Sequence, residues 1–193
     1  LKKGEETKKN IIEQSLRLFS SQGYEETALK DIAVSVNIKT PSIYAYFESK
    51  QNLFEEIVNY VIEDYLRFID KQALIIEKFP TEQKLHHILQ ELNKYYYMND
   101  KGLFLKRYGI YPPEKFKELI TLKNKKVENE IRALIFSILT GNKEENLIDS
   151  EAVATCFMTI LDGMLYNLMN YSYDEYESRL AITWSVFWRG IKN

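Results

Sequence analysis

Along most of the chain apolar residues recur three and four positions apart rather than two, the period of a helix with one buried face. Ile12, Leu16 and Phe19 mark one such stripe. Gly23, which can take the left-handed conformation that closes helices, stops it, so a first helix is predicted from about Glu5 to Gln22. Thr27 reads as the N-cap of a short helix from Ala28 to Val36. Thr40-Pro41 starts a third, because a capping hydroxyl followed by proline suits a first turn. Ser49 caps a long fourth helix whose Leu53, Phe54, Ile57, Val58, Val61, Ile62, Tyr65, Leu66 and Ile69 form a continuous apolar face before Pro80. Leu85 to Tyr96 marks a fifth, broken by Asn99-Asp100-Lys101-Gly102, and a short sixth runs to Gly109 ahead of Pro112-Pro113. A seventh spans Phe116 to about Gly141, and Val153–Met169 and Tyr176–Ile191 supply two more. The expectation is an all-α chain of about nine helices, with no strand.

The organisation changes near Ser49. Before it lie three helices, two of them very short; after it come long amphipathic helices that read as a bundle. A head of residues 1–48 on a body of residues 49–193 is the simplest division. No repeat suggests a solenoid.

Composition narrows the function classes. The 193 residues are 45% hydrophobic and 28% charged, an ordinary globular balance. Lys+Arg 26 against Asp+Glu 28 excludes a polybasic coat and an acidic tail, so any nucleic-acid contact is local. Cys156, alone, cannot form an intrachain disulfide or a thiolate cage, which suits a reducing cytosol and predicts a small buried residue. The N-terminus lacks the apolar core of a signal peptide, and Val153–Met169 carries Thr155, Thr159, Asp162 and Asn167, so a cytoplasmic chain without a membrane span is expected. His86 and His87 are adjacent and diverge on a helix, so no metal pair is expected, and no cofactor is implied. The motifs of nucleotide binding, zinc hydrolysis and serine catalysis are missing, which leaves a small helical enzyme as the weaker alternative.

Residues 28–47, ALKDIAVSVNIKTPSIYAYF, read as helix, tight turn, helix, with Ile32, Val36, Ile38, Ile43 and Phe47 available to pack inward and Ala33 small where the helices approach. The outer face offers Lys39, Thr40, Ser42, Tyr44, Ala45 and Tyr46. Hydroxyls and a lysine suit phosphates or base edges, and an alanine methyl suits a thymine methyl. The alternative is a solvated turn whose tyrosines pack on their own scaffold.

The run LFSSQGYEETALKDIA, the turn Asn37-Ile38-Lys39 and the segment IYAYFESKQNLF closely resemble the DNA-binding domain of the TetR/AcrR family of bacterial transcriptional regulators. The resemblance implies a homodimer on a double-stranded DNA operator. By position, it implies contacts from Thr27, Lys39, Thr40, Pro41, Ser42, Tyr44, Ala45, Tyr46 and Lys50, with Lys2, Lys3, Lys8 and Lys9 near the DNA backbone. Departures are Asn37 where the family often has glycine, Thr40-Pro41 where it often has Lys-Gly, and Ala45 for a frequent histidine. Asparagine tolerates a left-handed turn, so these departures bear on the bases read rather than the fold.

The resemblance also makes the body an effector and dimerisation domain, with a small-molecule pocket among helices four to seven. Tyr65, Phe68, Tyr95, Tyr96, Phe104, Tyr108 and Phe136 are lining candidates, and Arg107 a partner for an anionic group. Ordinary core packing is the competing account of each aromatic. In the family the last two helices form a four-helix interface with the partner's copies. Phe157, Leu161, Leu165, Leu168, Trp184, Phe187 and Trp188 would supply its stripe, unless the monomer buries them. Gly163 points to a close helix approach. The implied function is a regulator, read as a repressor released by a small, mostly apolar effector; the rival is a TetR-like protein whose body binds a protein partner.

Overall fold

The computed structural model describes residues 2–141 and 149–192. Among them nine α-helices follow one another: α1 (Lys2–Ser21), α2 (Leu29–Ser35), α3 (Thr40–Ile43), α4 (Lys50–Ile75), α5 (Thr81–Met98), α6 (Asp100–Tyr108), α7 (Lys117–Thr140), α8 (Ser150–Asn170) and α9 (Tyr173–Gly190). A single 3-10 turn, Glu114–Phe116, precedes α7. The helical reading of the pattern therefore holds, with boundaries moved by a few residues.

Local chemistry sets those boundaries. Ser49 caps α4 as expected, its hydroxyl accepting from the Asn52 amide at 3.0 Å. The polar cluster that ends α5 also starts α6, because Asn99 accepts from the Gly102 amide at 2.9 Å. Asp149 caps α8, and Ser172 with Glu175 forms a capping box on α9. Thr27 is not the cap of α2. Ala28 holds that place, with its amide donating to the Asp31 carboxylate at 3.1 Å, while the Thr27 hydroxyl turns inward. On α1 the most buried stripe is Ile11, Leu16 and Phe19, with Ile12 half-buried beside it.

Two compact units divide the chain: residues 1–64 with 99–123, and residues 65–98 with 124–193. Compactness thus draws its line elsewhere than the change of character at Ser49. The reason is Phe54, on the first turns of α4, which lies at the centre of the first unit's aromatic core. Its ring centroid is 5.4 Å from Phe19, 4.9 Å from Tyr24, 5.4 Å from Phe104, 5.0 Å from Tyr108 and 4.3 Å from Phe116. Those rings come from α1, the α1–α2 connection, α6 and the entry to α7, so burying them ties these elements to the head.

In the second unit α8 packs on α5 and on α9. Its inward stripe is Val153, Ala154, Phe157, Leu161, Met164 and Leu168. Among the described residues α8 is the one helix long and apolar enough to cross a membrane, a test that a core helix also passes. Cys156 lies on its exposed side, so the expectation of a buried cysteine is corrected: the residue falls out of phase with the inward stripe.

Candidate nucleic-acid interface

The helix-turn-helix is built from very short pieces that exist only because they are docked, since a seven-residue helix does not persist alone in water. Ile32 and Ala33 of α2 are buried, as are Ile43 and Phe47, whereas Val36 and Ile38 are half-buried. The turn passes through Asn37 at φ 55°, the left-handed conformation its side chain tolerates. The Ile38 amide then donates to the Ala33 carbonyl at 3.0 Å, closing the end of α2. α3 is one turn long with Pro41 at its start, and a further turn continues through Tyr46, whose amide donates to the Ile43 carbonyl at 2.9 Å.

This arrangement puts most of the expected contact residues on one outer edge. Lys39, Pro41, Ser42 and Ala45 are exposed, Tyr44 is 57% exposed, and Thr40 and Tyr46 are half-buried. The edge presents a cation, hydroxyls and a methyl side by side, groups that reach phosphates and base edges.

Thr27 and Lys50 do not join it. Thr27 is fully buried and its hydroxyl donates to the Gly23 carbonyl at 2.7 Å. The Lys50 ammonium donates to the Thr27 carbonyl at 2.9 Å and the Glu25 carbonyl at 3.3 Å, and stands 4.3 Å over the Tyr24 ring. Both residues are thus engaged at the bend between α1 and α2, apart from the exposed residues around α3. Lys8 is likewise occupied, pairing with Glu56 at 3.6 Å and lying 5.3 Å over Phe47.

Arg107 also has a role other than the one expected. Its guanidinium donates to the carbonyls of Ser20, Ser21 and Gln22, each at 3.1 Å, and so caps the C-terminus of α1, where orphan carbonyls and the helix dipole favour a cation. The Tyr108 hydroxyl donates to the Phe19 carbonyl at 2.9 Å, and burial pushes its pKa up to about 12. Arg17 pairs with Asp100 at 2.8 Å. Gly23 sits under the guanidinium at φ +108°, and a Cβ there would meet an Arg107 nitrogen at 2.8 Å. Sequence reasoning missed this cap because no local pattern links residue 107 to residues 20–22.

The expected pocket lining splits accordingly. Phe104, Arg107 and Tyr108 belong to the first unit, where Phe104 and Tyr108 pack on Phe54. In the second unit Tyr65, Phe68, Tyr95 and Tyr96 gather, with Tyr65 at 4.7 Å from Tyr95 and 5.4 Å from Tyr96. Burial raises the Tyr65 hydroxyl well above its ordinary pKa and the Tyr96 hydroxyl to about 12, so both stay protonated donors. Phe136 is half-buried on α7.

Most of the expected dimer stripe is monomer core. Phe157, Leu161, Leu168, Trp184, Phe187 and Trp188 are buried within the chain, and only Leu165 is half-exposed. A second stripe points out instead: Thr155, Thr159, Gly163 and Tyr166 on α8, and Ile182 and Val186 on α9, the last two 65% and 59% exposed. The signal for it was present, since α9 carries apolar residues in two phases. No described atom outside its own helix lies within 4 Å of where a Gly163 Cβ would be, so packing inside the chain does not require that glycine.

Residues 11–57 match the family described as bacterial regulatory proteins, tetR family. Over 62 residues the chain is 47% identical to the Staphylococcus aureus (strain Newman) biofilm operon icaADBC HTH-type negative transcriptional regulator IcaR, covering 32% of this chain and 33% of that protein. The corresponding Staphylococcus epidermidis regulator is 41% identical over 64 residues, with 31% and 35% covered. The chain thus matches about a third of the length of these relatives. Whole-chain likeness extends to the TetR transcription regulator of Haloarcula marismortui, at TM-score 0.72 and 21% identity, covering 98% of this chain and 100% of that one. It extends also to Bacillus subtilis FadR, solved in complex with stearoyl-CoA, at TM-score 0.64 and 18% identity, covering 92% and 94%.

Proposed function

We propose that this chain, whose N-terminal domain belongs to the tetR family of bacterial regulatory proteins and whose described residues have the TetR fold, is a DNA-binding repressor of transcription. The observation that carries the reading is the outer edge of α3, where Lys39, Ser42, Tyr44 and Ala45 stand exposed on a scaffold that buries Ile43 and Phe47 beneath them. The 47% identity over 62 residues to a negative regulator favours repression over activation. Selection of duplexes from a random pool should yield a pseudo-palindrome, and Tyr44→Ala should weaken binding to it by about tenfold or more with helicity intact. Equal binding by Tyr44→Ala and the parent chain would remove this edge from the interface.

A homodimer through α8 and α9 follows from their outward stripes. Thr155, Thr159 and Gly163 allow a close approach, while Ile182, Val186 and Tyr166 supply apolar area to bury. Two heads held at a fixed spacing would read two half-sites about 34 Å apart. The functional division into a head of residues 1–48 and a body of residues 49–193 fits this scheme, with α4, continuous from Lys50 to Ile75, as the body's first helix directly after the head.

Release by a small, mostly apolar effector in the cytoplasm completes the proposal. Support comes from the aromatic group of Tyr65, Phe68, Tyr95 and Tyr96, and from a similarly folded protein that holds stearoyl-CoA. A movement of α4 caused by the effector would alter the spacing of the heads. The coupling has to be reciprocal: a tenfold loss of DNA affinity, about 1.4 kcal/mol, requires the same loss of effector affinity on the DNA-bound protein.

A further inference from the structure

The first unit contains an open groove of about 440 Å³ that the DNA-binding reading does not use, with residues of α1, α4 and α6 along it. Its charged lining is three carboxylates, Glu13, Asp64 and Asp100, against two cations, Arg17 and Lys101. One corner is already arranged around an ammonium group. The Lys101 nitrogen stands 2.6 Å from the Asp64 carboxylate and 4.6 Å from the centre of the Tyr60 ring. A carboxylate on one side and an aromatic face on the other is the environment that holds organic ammonium ions. The present occupant is a flexible side chain, with its pair only 24% and 27% exposed, so the corner is screened less than a surface pair.

A second place for positive charge lies along the same groove. Glu13 meets Lys9 at 3.8 Å, a long contact between side chains 71% and 43% exposed, which contributes little. Leu16, also in the lining, offers apolar surface to methylenes. The carboxylates do not converge on a point: among the described residues no three His, Cys, Asp or Glu side chains are grouped to hold a metal ion. Separated carboxylates joined by an apolar stretch suit separated ammonium groups joined by methylenes better than a compact dication.

We propose that this groove binds a linear aliphatic diamine or triamine, one ammonium displacing Lys101 from Asp64 and the Tyr60 face, another pairing with Glu13. Lys101 and Asp100 both belong to the first turn of α6, and Asp100 holds Arg17 of α1. An occupant that rearranges them acts on the attachment of α6 to α1. All the lining residues belong to the first unit, and the proposal does not depend on the DNA-binding reading.

Calorimetric titration of spermidine into the full chain at physiological salt tests it. One saturable site is expected. Tyr60→Phe should keep it, whereas Tyr60→Leu, which removes the ring and no charge, should weaken it about tenfold. Asp64→Asn should cost roughly tenfold or more. Lys101→Ala should bind several-fold tighter because the internal competitor is gone, and it keeps the test open should Asp64→Asn fold poorly. Glu118→Gln, an exposed carboxylate on α7 outside the groove, should change nothing. Absence of saturable binding, equal affinities for Tyr60→Phe and Tyr60→Leu, or displacement of spermidine by magnesium at matched charge would each overturn the proposal.

Discussion

The outer edge of α3 and the outward side of the last two helices relate differently to the sequence pattern. At α3 the residues singled out for contact do face out, whereas on α8 and α9 most of those singled out for an interface face in. The difference lies in how many apolar phases each element carries. α3 is one turn long, and Ile43 is its only large apolar residue, so the inward face is fixed, with Thr40 half-buried beside it and Pro41 and Ser42 exposed. α9 has Leu180, Trp184, Phe187 and Trp188 in one phase and Ile182 and Val186 in another. The larger, aromatic stripe satisfies the chain's own core first. What remains for a partner is the smaller stripe, which a count of bulky residues overlooks.

Charge placed on the two phases of α9 should separate them, with the largest effect of any change considered. Phe187→Arg leaves an unpaired cation in the core beside Phe157 and Trp184 and should cost about 3–5 kcal/mol, seen as loss of folded protein in urea titrations. Ile182→Arg should leave monomer stability within about 0.5 kcal/mol and instead lower the sedimentation mass toward one chain. A normally folded, dimeric Phe187→Arg protein, or a dimer indifferent to arginine at 182, would break the distinction between the stripes.

Next in size is the contact that joins α6 to the end of α1. Gly23→Ala should destabilise the protein by about 1–3 kcal/mol, from the left-handed backbone and from displacement of the guanidinium. In an Arg107→Ala background the same change should cost less, because the Cβ then meets no nitrogen. Strictly additive losses in a double-mutant cycle would show that the two positions do not couple.

Lys39 and Lys50, both matching DNA-contacting positions by resemblance, give a finer test of the head. Lys39 is exposed beside α3, while Lys50 is committed to the Thr27 and Glu25 carbonyls. Lys39→Ala should reduce the salt slope of DNA binding by about one unit with stability unchanged, if it neutralises one phosphate. Lys50→Ala should leave the slope unchanged and cost about 1 kcal/mol of stability. Thermal melts and salt titrations on the same pair of variants check both halves, and an exchange of the two behaviours would reverse the assignment.

Period-three-and-four patterning, caps at Ser49 and Asn99 and the turn at Asn37 made the helices and the head legible, because each is settled within a few residues of chain. The misplaced residues share the opposite property. Arg107 bonds 85 to 87 positions away, and Lys50 bonds the Thr27 and Glu25 carbonyls 23 and 25 positions away, so only the folded backbone brings their partners together. The aromatic residues divide in a way no local pattern announces: Phe104 and Tyr65 look alike in sequence but belong to different units.

His86 offers the smallest and most local test, on the inward side of the α9 contrast. It is half-buried, with its ring 4.8 Å from that of Trp184. Burial lowers its pKa, neighbouring His87 adds to the lowering and Glu82 opposes it, so the folded protein favours the neutral imidazole. The unfolded chain titrates at about 6.5 and, between the two values, binds more protons than the folded one. Stability therefore rises with pH in that window: it is complete above about 6.5 and is lost as pH falls toward the folded value, below which the dependence flattens. Replacing the histidine with a ring that cannot take a proton, His86→Phe, should keep the contact with Trp184 and flatten this limb of the stability profile. Urea titrations of both proteins from pH 7.5 down to about 5 read the difference. An unchanged slope between them would mean that the ring is solvated despite its contact with Trp184, and that this end of the inward stripe is open to water.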